Sequence, residues 1–165
     1  MIISARAAVV DYLRETPNIT SLVDAQNIQD IDYEFEDFYN ASGNNFSFPA
    51  VSVQTSFMNF NNQINCQAVN LYTETLDISI YNQVNTSHLR GAQSVRNQAE
   101  LEKRKIDSVR ATIQSELLLL DGSYGDLINI CKVEITNTSD SVFNTEDNSK
   151  IYQSFFSVNI TYKSI

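Results

Sequence analysis

Histidine is almost missing: His88 is the only one in 165 residues. A histidine-built metal cage is therefore impossible, and so is a nucleophile supported by two histidines. His88 reads as a loop residue. The two cysteines, Cys66 and Cys131, lack the short spacing of a zinc site and have no histidine beside them in sequence, so neither a thiol enzyme nor a disulfide framework is signalled. Glycine is scarce, at four residues, and the one close pair, Gly122 and Gly125, follows a helical pattern instead of joining a strand to a helix. No loop is available to cradle a phosphate, which excludes nucleotide chemistry. Positive charge is also thin: 11 Lys and Arg stand against 20 Asp and Glu, for a formal net charge of -9. A broad phosphate-neutralising surface is disfavoured.

Long apolar runs are absent too. The nearest candidate, Leu117 to Leu120, only closes a charged helix, so no membrane span is predicted. Arg6 and Asp11 interrupt the first apolar stretch, and the expectation is a soluble chain without a signal peptide. With only two prolines and 42% hydrophobic residues, the composition excludes disordered and collagen-like chains. The length suits one domain spanning residues 1–165.

What remains is clear patterning. Ile3, Ala7, Val10 and Leu13 recur at helical spacing up to Thr16-Pro17, which predicts a short N-terminal helix over 3–15. Asp30 to Glu36 alternates acids with apolar residues, the period-2 signature of a strand with one wet face. A strand is predicted over 50–55 after Pro49, and a long one over 69–82, where Leu71, Thr73, Leu76, Ile78 and Ile80 oppose Glu74, Asp77, Ser79 and Tyr81. Residues 57–67 are Asn-rich and irregular, readable as a hairpin arm or a loop. Val95, Ala99, Ile106, Val109, Ile113, Leu117 and Leu120 fall mostly on one face of a helix over 94–120, with Gly122 able to take a left-handed cap. Strands over 127–136, 142–145 and 153–162 follow. The predicted fold class is α+β: a mainly antiparallel sheet, a long amphipathic helix on one of its faces and a short helix at the N-terminus. The other sheet face is left half-polar.

Two surfaces stand out as candidate sites. Asp30, Asp32, Glu34 and Glu36 share one strand face. They could be a solvated sheet face, a divalent-cation site, or a charged wall that repels polyphosphate and lets DNA slide past. A straight strand is a poor calcium loop, so no metal is assigned. Phe57, Phe60, Asn61, Asn62 and Ile64 lie in the arm, and they together with the amide-rich stretch 137–150 are suited to docking on neighbours or to being ordinary surface loops.

The order of these features resembles the tail terminator, or tail completion, proteins of long-tailed bacteriophages. The residues that carry the likeness are Phe48-Pro49-Ala50-Val51-Ser52-Val53, Leu76-Asp-Ile-Ser-Ile-Tyr81, the helix closing on Leu117 to Leu120, and Phe156-Ser-Val-Asn-Ile-Thr-Tyr162. The resemblance implies a virion protein without enzymatic activity or cofactor. It also implies a ring, commonly of six copies, that caps the tail tube and joins it to neck and connector proteins while DNA passes through without specific binding. A head-side connector ring fits the same features. A monomeric binding module presenting the 57–67 arm is a different reading, and a hydrolase using Glu34 and Glu36 has no cleft to support it.

Overall fold

The computed structural model describes residues 4–30, 48–61, 71–84, 89–120, 122–124, 128–144 and 150–163. In chain order these form α1 (Ala5–Glu15), α2 (Pro17–Thr20), a 3-10 turn (Ala25–Asn27), β1 (Ile28–Asp30), β2 (Ala50–Asn61), β3 (Leu71–Val84), α3 (Ala92–Leu118), β4 (Gly122–Tyr124), β5 (Ile128–Asn144) and β6 (Lys150–Lys163). The described strands make one six-stranded sheet in the order β1-β2-β3-β6-β5-β4. Only the β1–β2 pair is parallel; the others are antiparallel. The α+β class read from the sequence is the observed one.

α1 and α3 begin where backbone chemistry dictates. Ser4 caps α1 by accepting a hydrogen bond from the Arg6 N–H at 3.1 Å, and Thr16 leaves the helix in extended geometry because Pro17 follows. Gly91, at φ +89°, opens α3 with a backbone conformation that side-chain-bearing residues resist. Gly122 does not cap this helix: α3 stops at Leu118, and Gly122 begins β4 as an extended residue.

The core lies between one sheet face and the helices. Val51, Val53, Leu76, Ile78, Ile80, Phe156, Val158 and Ile160 meet Val9 and Leu13 of α1 and Val109, Ile113 and Leu117 of α3. Ile106, Val109, Ile113 and Leu117 recur at three- and four-residue steps and are the buried residues of α3. None of residues 92–105 is buried, so the first half of this helix has no core of its own.

Three one-residue bulges explain where alternation was lost. In β2 the register shifts between Thr55 and Phe57, so the helix-facing set passes from Val51 and Val53 to Met58. The strand therefore runs on to Asn61, as one arm of a hairpin with β3, and does not stop at Thr55. In β5 the register shifts between Ile130 and Lys132 and again between Thr136 and Thr138. Each shift moves the inward set by one residue, from Ile130 to Val133 and Ile135, and then to Thr138, Asp140 and Val142. Residues 137–144 are consequently a paired strand, which includes the described part of the strand predicted over 142–145 and replaces the loop read for 137–141; 145–149 lie outside the described residues. Asn137 takes φ 47° at the second bulge, a left-handed geometry that Asn tolerates better than most residues.

Candidate functional site

Asp30 ends β1 in register with Val53, and its carboxylate meets Arg6 Nε of α1 at 2.6 Å. Its charge is thus locally balanced. Asp32, Glu34 and Glu36 lie outside the described residues. In the arm, Phe57 is 61% exposed and Met58 43% exposed, on opposite faces of β2. Phe60 and Asn61 are the last residues of the strand, while Asn62 and Ile64 lie outside the described residues. Phe57 and Met58 are thus exposed apolar side chains on the two faces of the arm.

Three polar networks organise the structure, of which the sequence reading anticipated only the half-polar character of the third. The first is centred on Glu74, which was expected on the wet side of β3 but is 0% exposed. It is in phase with Leu76, Ile78 and Ile80, and period 2 therefore turns it inward. Its carboxylate accepts hydrogen bonds from Ser4 Oγ at 2.8 Å, the Ala5 N–H at 2.8 Å, Thr55 Oγ1 at 2.6 Å and the Tyr162 hydroxyl at 3.3 Å. Four donors replace the lost hydration, and the anion sits at the positive end of α1. Tyr162 stacks on Tyr72 with ring centroids 5.5 Å apart. Burial, and then the Glu74 charge, push the Tyr162 hydroxyl well above the ordinary tyrosine range.

The second network ties α3 to the far strands. Arg110 Nη1 donates to Asp140 Oδ1 at 2.9 Å and to the buried Ser154 Oγ at 2.7 Å, while Nη2 lies 3.3 Å from Asp107. Ser154 in turn donates to Asp140 at 2.8 Å. Beside it is a cleft of about 310 Å³ lined by Lys103, Ile106, Val142 and Tyr152, among others.

The third is the face turned away from the helices. Thr73 and Thr161 share a hydrogen bond at 3.1 Å, Thr75 donates to Asn159 at 2.7 Å, and Ser157 donates to Asp77 at 2.9 Å. Gln153 donates to Ser79 at 3.2 Å and accepts from Ser141 at 3.2 Å. Cross-strand pairs thus satisfy a hydroxyl- and amide-rich surface. Such a face can stay wet without an apolar cover.

The sheet also leaves edges open. β1 pairs with β2 only up to Val53, and β4 pairs with β5 only up to Ile130, so among the described residues the outer edges of 54–61 and 132–144 have no strand beside them. Bare edges are templates for pairing between chains unless bulges and charges blunt them. Lys132, Glu134 and Asp140 supply charge along the second edge, together with its bulges. Among the described residues no three His, Cys, Asp or Glu side chains gather to hold a metal ion, and no helix is long and apolar enough to cross a membrane.

A chain folded as a one-sided sheet with helices on its other face belongs to a broad α+β class. No protein-family model matches this sequence, and no curated protein does. Solved structures do match. One is a chain of the particle described as "Virion of native gene transfer agent (GTA) particle", similar at a TM-score of 0.54 and 11% sequence identity, over 96% of this chain and 95% of that chain. At that identity the likeness shows a shared fold, from end to end.

Proposed function

We propose that this protein is a structural component of a phage-like virion. It forms a homo-oligomeric ring, of six copies, at the head-proximal end of a tail, where it terminates the tail tube and joins it to the neck. It acts as one unit over residues 1–165, without enzymatic activity or a cofactor. The observation that carries this reading is the end-to-end structural likeness to a chain of a virion particle. Physical chemistry supports it from a second side: a sheet with open edges and a self-satisfied polar face is suited to copies that join around an axis. In this ring Asp32, Glu34 and Glu36 line the lumen, and their charge keeps DNA from adhering as it passes. Asp30, tied to Arg6, adds little to that field. Phe57, Phe60, Asn61, Asn62 and Ile64 dock on a neighbouring virion protein.

Native mass spectrometry over a range of concentrations, with negative-stain images of the largest species, tests the reading. A discrete six-fold ring is expected, and a twelve-fold ring would move the protein to the head-side connector. A chain that stays monomeric even when mixed with purified tail tubes overturns it. The exposure of Phe57 and Met58 favours a second reading, a monomeric module that presents this arm to a ligand; that same monomeric outcome would support it.

A further inference from the structure

The first half of α3 is a helix with little to hold it. Residues 92–105 bury no side chain, and hydrogen bonds from Asn82 Nδ2 to the Glu102 carbonyl at 3.2 Å and carboxylate at 2.6 Å tie them to the sheet. Pairs along the helix, Gln93 to Asn97 at 3.0 Å and Gln98 to Glu102 at 2.9 Å, contribute only tenths of a kcal/mol each. A helical stretch of this length is marginal in water without tertiary packing. Its charge is also unbalanced. Arg96, Lys103, Arg104 and Lys105 face two carboxylates, Glu100 and Glu102, for a net +2 in a chain of -9, leaving -11 elsewhere. The first turn of α3 contains no acid to meet the positive end of its dipole.

The cations are segregated as well. Between Arg14 and Arg90 the sequence has no Lys or Arg. Arg6, Lys105, Arg110 and Lys132 have carboxylate partners, and Arg14 donates to the Ile28 carbonyl. Arg96 and Lys103 are exposed, lie two turns apart on one side of α3, and have no ion pair among the described residues. The complementary surface is on the same chain but at the wrong end. Asp11 and Asp24 are exposed on the α1–β1 flank, which joins the opposite end of α3 through the Asn18 amide donating to Glu116 at 2.8 Å. Along the helix, Lys103 and Arg96 stand about 20 to 30 Å from Glu116, well beyond the distance over which physiological salt screens charge.

From this geometry we infer that the basic first half of α3 docks on the acidic α1–β1 flank of a second copy. The inference rests on the ring reading above and names its contact. Because the two surfaces differ, the contact is head-to-tail, the kind that closes a ring when the rotation allows. It brings Arg96 and Lys103 of one copy to Asp11 and Asp24 of the next, and it covers a stretch of helix that buries no side chain in its own protomer.

A charge-swap experiment on the full chain decides it. An Arg96→Glu/Lys103→Glu chain and an Asp11→Lys/Asp24→Lys chain are each expected to self-associate at least about tenfold more weakly than wild type, because like charges then oppose each other. Circular dichroism and urea unfolding check that both variants fold. Mixed in equal amounts they should assemble again, as alternating copies, since every contact then pairs opposite charges. Rings formed by either variant alone at the wild-type concentration overturn the docking surface and leave the ring reading intact. Wild-type chains that never assemble, with or without tail tubes, overturn the ring reading and the contact with it. Normal assembly of the Arg96/Lys103 variant with lost retention on double-stranded DNA assigns the basic side to nucleic acid and overturns docking.

Discussion

The Tyr162 hydroxyl donates to Glu74 Oε2 at 3.3 Å, joining the two central strands β6 and β3 inside the face that the helices cover. The same carboxylate oxygen accepts from the Ala5 N–H, so one buried anion links the middle of the sheet to the first turn of α1. Glu74→Ala leaves Ser4, Thr55 and Tyr162 without their acceptor. It should cost about 2 to 4 kcal/mol, at the upper range for lost hydrogen bonds to a charged group. Urea unfolding measures this, and Glu74→Gln, which keeps the shape and one acceptor, should recover part of it.

Tyr162 titrates above the ordinary tyrosine value of 10.0 because it is desolvated and faces Glu74. The folded state therefore holds its proton more tightly than the unfolded chain does. The associated stability is fully present below pH 10 and is lost as pH rises through the higher folded value. Unfolding midpoints measured in steps above pH 10 should fall for wild type, and Tyr162→Phe should flatten that fall.

Arg110 and Asp140 form a part-exposed ion pair at 2.9 Å that is reinforced by buried Ser154. A double-mutant cycle with Arg110→Ala and Asp140→Ala should give a coupling of about 0.5 to 1 kcal/mol, weaker in high salt. Ser154→Ala should cost more than Asp140→Ala if the buried hydroxyl is the stronger tie.

Asn137 holds φ 47° where β5 changes phase. Asn137→Gly should be nearly neutral, whereas Asn137→Val should cost about 1 to 2 kcal/mol, since a β-branched side chain resists that backbone region. Thermal unfolding separates the two.

Phe57 and Met58 are exposed on opposite faces of β2. Phe57→Ser with Met58→Ser should change stability by less than about 0.5 kcal/mol, as for surface sites elsewhere. In the reading proposed here the same variant should incorporate poorly into virions, as scored by immunoblot of purified particles.

Much of the fold was legible wherever one periodicity ran unbroken. α1, β3, β6 and the anchored half of α3 follow directly from the placement of Leu13, Ile78, Phe156 and Ile113, each on a stripe that needs a core. β2 and β5 were only half legible, because a bulge changes which parity faces inward and a reader of alternation takes the change for an ending. Glu74 was misplaced for a different reason: it shares its parity with Leu76, Ile78 and Ile80, but an acid in an alternating strand reads as solvent-facing, and the partners that satisfy it, Ser4, Thr55 and Tyr162, are distant in sequence. The candidate surfaces were legible as composition only. That Asp30 is neutralised by Arg6 depends on where α1 lands on β1, and that Arg110 meets Asp140 depends on the crossing of α3 over the sheet.

The strand order has a consequence for how the chain comes off the ribosome. β6 is last of the described strands in sequence, yet it sits between β3 and β5 and pairs with both. Until residues 150–163 have been synthesised, β3 has a bare edge on that side and β5 has no inner partner. Such distant pairings are slow to form and leave sticky intermediates. Sheet closure is therefore a late event in biosynthesis, and a nascent chain carries incomplete edges until its last strand is in place.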